Sequence, residues 1–377
     1  MKNLKKIFSV IILFTIIVAP QVANAIYTDG VVNTITVGSS PEGVAYDSGK
    51  GEVFVTNTKS GTVSVISDSS YTVIAEVTVG EYPSVNLHGV AYDSGKGEIF
   101  VANGNSGTVS VISDTTNAVV ANITVGEYPF ADPINLAYDS GKGEIFVANA
   151  GFQTVSVISD STNTLIANIT VGINPIGLAY DSEKGEIFVA NDGSNTVSVI
   201  SDTNNTVIAN VTVGTGPVGV AFDSEQGEIF VANYGSNTVS VISDSNNTVI
   251  ADINVGSSPE SVVYDSAKGL IFVTNQYPGT VSVISDSNNT VIANVTVGAF
   301  PSGIAYDFGK GKIFVANSDS GTVSVILEAL GKTASESGTV ALFIVLSAVI
   351  LVIVTIYAIV WKIKKFKKKP ELTPNSK

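Results

Sequence analysis

Short runs rich in Val, Ile, Thr, Phe and Tyr alternate along this chain with clusters of Asp, Ser, Asn and Gly, at a regular spacing. One period predicts four strands, at 176–180, 186–190, 196–201 and 206–213. Between them lie Asp181-Ser182-Glu183-Lys184-Gly185, Asn191-Asp192-Gly193-Ser194-Asn195 and Asp202-Thr203-Asn204-Asn205. β-Branched and aromatic side chains suit a pleated strand, whereas Asn, Asp, Ser and Gly suit the turns. In the third run the two-residue period puts Val197, Val199 and Ser201 on one face and Thr196, Ser198 and Ile200 on the other.

The period repeats seven times. Tyr/Phe-Asp-Ser or a near variant places Asp at 47, 93, 139, 181, 223, 265 and 307, at intervals of 46, 46 and then 42 residues. Phe-Val-Thr/Ala-Asn ends at Asn57, Asn103, Asn149, Asn191, Asn233, Asn275 and Asn317, and Thr-Val-Ser-Val-Ile also occurs seven times. A Gly-x-x-Pro step leads into the units, where proline fixes the entry turn. Four strands per 40–45 residues is the pattern of a β-propeller. The seventh unit stops after its third strand, while an unassigned run, Val31-Val32-Asn33-Thr34-Ile35-Thr36-Val37, matches the missing fourth. A ring needs that strand to complete its last blade and cover a sheet edge. The expectation is therefore all-β: one seven-bladed propeller over 26–327, closed by an N-terminal outer strand.

The Phe-Val-Thr-Asn and Phe-Val-Ala-Asn repeats resemble the YVTN family of β-propeller repeats, with Phe for the leading Tyr and Ala mostly for Thr. That resemblance covers all seven units. It implies kinship with archaeal surface-layer and YncE-like secreted proteins, and it specifies fold more than activity.

The two ends change the picture from fold to location. Lys2, Lys5 and Lys6 precede an apolar run at 7–18, and Ala23-Asn24-Ala25 follows, which reads as a secretory leader over 1–25, with an uncleaved anchor as the alternative. Residues 339–361 carry no charge and would span about 34 Å as a helix, enough for a bilayer core. Lysines crowd 362–369, so the tail 362–377 is expected in the cytoplasm and a stalk at 328–338 outside. Residues 26–338 hold 32 Asp/Glu against 9 Lys, whereas the tail carries a net +6. The expected location is the cell membrane, single-pass, with the acidic body outside. Such a body repels phosphate backbones and argues against nucleic acid as a partner.

Candidate chemistry is sparse. Without cysteine and with His88 as the sole histidine, thiol catalysis, zinc-thiolate sites and multi-histidine metal sites are excluded. His88 is read as lying in a loop with no partner for a triad. No catalytic residue and no cofactor is assigned. Asp47, Asp93, Asp139, Asp181, Asp223, Asp265 and Asp307 have two readings. In the first each closes a turn and pairs locally with the lysine three residues on (Gln226 in the fifth unit); in the second they form a ring of oxygen ligands for Ca²⁺. The Asn residues ending the second strands read as turn formers. Units two and three carry four extra residues, at 81–89 and 127–135, which form a raised ridge or mere loop drift. With the aromatics nearby they nominate a binding face of Tyr82, His88, Tyr128, Phe130, Asp132, Phe152, Tyr234, Tyr277 and Phe300. Asn-x-Thr sequons at Asn122, Asn168, Asn204, Asn210, Asn246, Asn288 and Asn294 fall on the outer strands or the turns before them, as glycan acceptors or simply as repeat consensus. Together these features point to a membrane-anchored surface protein for recognition, adhesion or the envelope, with an envelope protein or glycan as partner. The rivals are an extracellular hydrolase or small-ligand binder using the channel, with Ca²⁺, and a lattice component.

Overall fold

The computed structural model describes residues 30–80, 86–127 and 131–327. The leader, stalk, membrane segment and tail read from the sequence lie outside the described residues. Among the described residues no helix is long and apolar enough to cross a membrane.

Twenty-eight strands, β1 to β28 in chain order, make seven four-stranded sheets. In the fourth blade β14 (Pro175–Asp181), β15 (Glu186–Asn191), β16 (Thr196–Ser201) and β17 (Thr206–Thr212) pair antiparallel in sequence order, within one residue of the predicted limits. The seventh blade runs β1-β28-β27-β26. Its outer strand β1 (Val31–Thr36) pairs with β28 (Thr322–Leu327), with Ile35 opposite Val323, so the predicted closure is formed. The innermost strands are β2 (Pro41–Asp47), β6 (Leu87–Asp93), β10 (Pro133–Asp139), β14, β18 (Pro217–Asp223), β22 (Ser257–Asp265) and β26 (Pro301–Asp307). Each packs on the next, and β26 packs on β2. The chain is a seven-bladed β-propeller.

The core lies between blades. Phe54, Phe100, Phe146, Phe188, Phe230, Phe272 and Phe314, one per second strand, are wholly buried. The alternation in β16 feeds two such cores. Val197 and Val199 join Ile229, Val231 and Ile242 of the following blade, whereas Ile200 joins Phe146, Val155 and Val157 of the preceding one. Blades stacked on both sides explain why neither face of a third strand meets water.

A second set of contacts ties the blades on the side of the turn between first and second strands. Asp47 Oδ1 accepts the backbone N–H groups of Gly49 and Lys50 at 2.7 and 3.2 Å, and Asp93, Asp139, Asp181 and Asp223 repeat this turn. Five of the lysines, however, pair across the junction and not with their own aspartate. Lys50 reaches Asp114, Lys96 reaches Asp160, Lys142 reaches Asp202 and Lys184 reaches Asp244, each on the next blade, and Lys310 closes the ring on Asp68. The carboxylate is already occupied by the turn, so the long side chain extends across the junction. The hydroxyls of Tyr92, Tyr138, Tyr180, Tyr264, Tyr306 and Tyr46 stand beside the aspartate of the blade before. Burial and these carboxylates push the tyrosine pKa values up. The seven aspartates are therefore fully buried structural groups. Among the described residues no three His, Asp or Glu are placed to hold a metal ion.

The asparagines ending the second strands are also clamps, not turn formers. Asn57 Nδ2 donates across the sheet to Ser64 Oγ at 2.8 Å and Thr62 Oγ1 at 3.2 Å, and Asn191 does the same to Ser198 and Thr196.

Candidate functional site at the channel mouth

The innermost strands enclose a cavity of about 210 Å³. Its floor is apolar and nearly uniform: Val44, Val90, Leu136, Leu178, Val220, Val262 and Ile304. The next tier is small except for Asn135, because adjoining backbones approach there. A Cβ on Gly43 would stand 2.6 Å from the carbonyl oxygen of His88. The upper tier, five residues before each repeated aspartate, breaks the repeat. Going round the ring it reads Glu42, His88, Ile134, Ile176, Val218, Glu260 and Ser302. The mouth thus has an apolar arc on blades 3–5 and a polar arc on blades 6, 7, 1 and 2.

The polar arc is internally organised. His88 Nδ1 lies 2.7 Å from Glu42 Oε1, and Asn86 Nδ2 lies 2.8 Å from His88 Nε2, so the neutral ring donates to the glutamate and accepts from the amide. Thr58 Oγ1 stands 3.0 Å from Glu42 Oε2 and 2.7 Å from the Leu87 carbonyl oxygen, so its one proton serves two acceptors. Burial alone would lower the His88 pKa, but the charge and hydrogen bond of Glu42, with Asp132 nearby, raise it above the ordinary value. Gly104 makes room for this group: a Cβ there would meet Asp132 Oδ1 at 2.7 Å and His88 Nε2 at 2.8 Å.

Blade 6 repeats the device of blade 1. Gln276 Nε2 donates to Glu260 Oε2 at 3.2 Å, and Tyr234 Oη donates to Gln276 Oε1 at 3.1 Å. Desolvation, then the charges of Glu42 and Asp192, push the Glu260 pKa up to about 7. These two blades are also where threonine replaces alanine in the second strand. Thr56 Oγ1 donates to the His88 carbonyl at 2.6 Å, and Thr274 Oγ1 donates to that of Ser302 at 2.8 Å. Each hydroxyl fixes the first strand of the blade beside a glutamate.

The nominated binding face divides. His88 lies within β6, not in a loop, and forms the mouth with Asp132. The inserted residues move the proline of this unit to Pro83, so Leu87 opens the strand and no proline marks it. Tyr277 and Phe300 meet edge to face, with centroids 5.6 Å apart, and Tyr234 joins the mouth through Gln276. Phe152 is exposed on blade 3. Tyr82, Tyr128 and Phe130 lie outside the described residues, with the rest of 81–85 and 128–130 in the two inserted segments. Glu42, Glu260 and Ser302 were missed by attention to loops and insertions. Their signal was a single column, five residues before each repeated aspartate, which departs from the repeat in an otherwise regular strand.

No family model matches the chain, and no curated protein matches it. Among solved structures it is similar to Kuenenia stuttgartiensis hydrazine synthase, with a TM-score of 0.67 and 18% identity over 81% of this chain and 99% of that one. It is also similar to a streptogramin B lyase, with a TM-score of 0.67 and 14% identity over 79% of this chain and 99% of that one. At such identities the likeness establishes the propeller fold alone.

Proposed function

We propose that this chain is a recognition propeller of the YVTN type, displayed on the cell surface, that captures at its channel mouth a ligand with an apolar body and a cationic end. The ligand class is an organic ammonium or guanidinium, free or as a side chain of an envelope partner. One observation carries the reading: the cavity lining splits into Ile134, Ile176 and Val218 on one side and Glu42, Glu260 and Ser302 on the other, with His88 bonded to Glu42 behind it. An apolar arc favours a hydrocarbon surface, and carboxylates facing it across a narrow mouth favour a cation. Export is supported by the leader and the apolar segment of the sequence.

Calorimetric titration with phenethylamine and with 2-phenylethanol tests this, since the two differ in the cationic end. The amine should bind at least tenfold more tightly, and Glu260→Ala should remove that preference. Equal affinities, or a preference untouched by Glu260→Ala, would refute the site. A second reading, acid–base catalysis, rests on a carboxyl that keeps its proton near neutrality beside a His–Glu pair. Turnover of a bound ligand lost in Glu260→Gln would favour it.

A further inference from the structure

We infer that the outer strands of blades 2, 3, 4 and 6, and the turns leading into those of blades 4, 5 and 6, are N-glycosylated, and that the glycans cap a belt of exposed aliphatic side chains on the rim. All seven sequon asparagines are exposed. Four lie within outer strands, and their amides are oriented by a relay from inside the blade. Asn103 Nδ2 donates to Ser110 Oγ at 2.8 Å, and Ser110 Oγ donates to Asn122 Oδ1 at 2.6 Å. Asn168, Asn210 and Asn294 accept in the same way from Ser156, Ser198 and Ser282. With Oδ1 held inward, Nδ2 is left toward solvent. The other three, Asn204, Asn246 and Asn288, precede the strands and accept from the hydroxyl of the sequon threonine at 2.6–2.7 Å.

The rim itself calls for cover. Two residues before the strand sequon, on the same exposed face, stand Val120 at 55%, Ile166 at 50% and Ile208 at 50% accessibility. Ile74 and Ile250 are equally exposed on blades 1 and 5, and there the residue two on is Glu76 or Asp252. An outer strand with apolar side chains is a template for edge-to-edge association, and charge is a common guard against it. Sequon asparagines take the place of that charge on blades 2, 3, 4 and 6. Blades 7, 1 and 5 carry no sequon asparagine in their outer strands, and in blade 5 Asn246 precedes the strand.

In the transfer, Asn Nδ2 attacks the anomeric carbon of a saccharide carried as a polyprenyl phosphate or diphosphate. The N–C bond forms, the C–O bond to the phosphate breaks, Nδ2 gives up one proton and the lipid phosphate leaves with the bonding pair. The inference rests on export, so the two are separated in one experiment. Full-length chain is recovered from its native cells, its exposure is scored by protease treatment of intact cells, and its peptides are analysed by mass spectrometry. Saccharide on Asn122, Asn168, Asn210 and Asn294 of surface-exposed chain is the expected result. Unmodified asparagines on exposed chain would overturn the inference alone, whereas a chain protected inside the cell would overturn export and the inference together. Replacing Thr124, Thr170, Thr212 and Thr296 by Ala removes the strand sequons and leaves the Asn–Ser bonds in place, and replacement by Ser keeps the sequons. Self-association by light scattering should rise severalfold in the Ala set alone. Equal scattering in both sets would overturn the capping role.

Discussion

Replacing Glu260 by Gln should stabilise the propeller at alkaline pH and leave it unchanged in acid. Glu260 titrates at about 7, where an ordinary glutamate titrates at 4.5. Each pH unit of that gap represents about 1.4 kcal/mol of ionisation penalty borne by the folded state. The whole gap sets a ceiling of about 3 kcal/mol, and water reaching this partly buried carboxyl reduces the expectation to about 1–2 kcal/mol. The sign follows from proton binding. Between pH 4.5 and 7 the native state holds more protons at this site than the unfolded chain, so stability falls as pH rises through that window and levels off above it. Gln276 keeps a carbonyl acceptor in the variant, so the gain comes from removing the charge. An unfolding entropy of about 2 cal/mol/K per residue over roughly 300 residues turns 1–2 kcal/mol into a rise in Tm of about 2–3 °C. Thermal unfolding of both proteins at pH 4.5 and pH 8.5 is the assay. A Tm difference of the same size at both pH values, or a variant less stable at pH 8.5, would refute the argument.

Two further substitutions probe the inter-blade clasps. Gln226→Lys restores the missing cation beside Asp286, whose carboxyl is pushed up to about 6 by burial and by Asp223. The native penalty for ionising Asp286 develops as pH rises toward 6, so urea denaturation should show a gain of about 0.5–1 kcal/mol at pH 7.5 and none at pH 4. Phe222→Tyr supplies the hydroxyl that Asp181 lacks, alone among aspartates whose following blade carries Phe. A gain of about 0.5–1.5 kcal/mol in the same assay is expected, and a loss would mean that the junction has no room for the hydroxyl.

The fold was legible because seven copies repeat one message. Phe188, Val197 and Ile200 recur in register in every blade, so propensity noise in any one copy is averaged away and strand ends emerge within a residue. Ring closure was legible too, since β1 is a fourth strand without a preceding third. The direction of the lysine clasps was not, because a sequence shows Lys184 three residues from Asp181 and does not show Asp244 across a junction. The site was hidden for a different reason. Glu42 and Glu260 each change one residue in a strand that still reads as a strand, and what makes them a site is that a ring brings columns of distant copies face to face. His88 was concealed by the insertion that displaces its proline. The pairing of blades 1 and 6 was present in plain sight: threonine in the second strand, and Thr58 or Gln276 in reach of the glutamate.

The two ends of the channel obey different constraints, which explains where the copies diverge. On the side of the clasps each blade must meet the same neighbour in the same way, so Asp, Lys and Tyr recur, and the exceptions in blade 5 leave Asp181 and Asp286 with raised pKa values from unrelieved burial. At the mouth the upper-tier side chains line or adjoin the shared cavity, and the contacts they make between blades differ from one junction to the next: Ser302 donates to the carbonyls of Pro41 and Glu42, His88 pairs with Glu42, and Val218 packs with Ile176. Divergence there carries little structural penalty in the apolar arc. In the polar arc it carries a real one, since Glu260 is held where its ionised form is disfavoured. Drift alone would remove such a group, and the paired supports, Thr58 on Glu42 and Gln276 on Glu260, would have no reason to accompany it. A carboxyl held at a penalty with a partner in reach is what the proposed cationic ligand would repay.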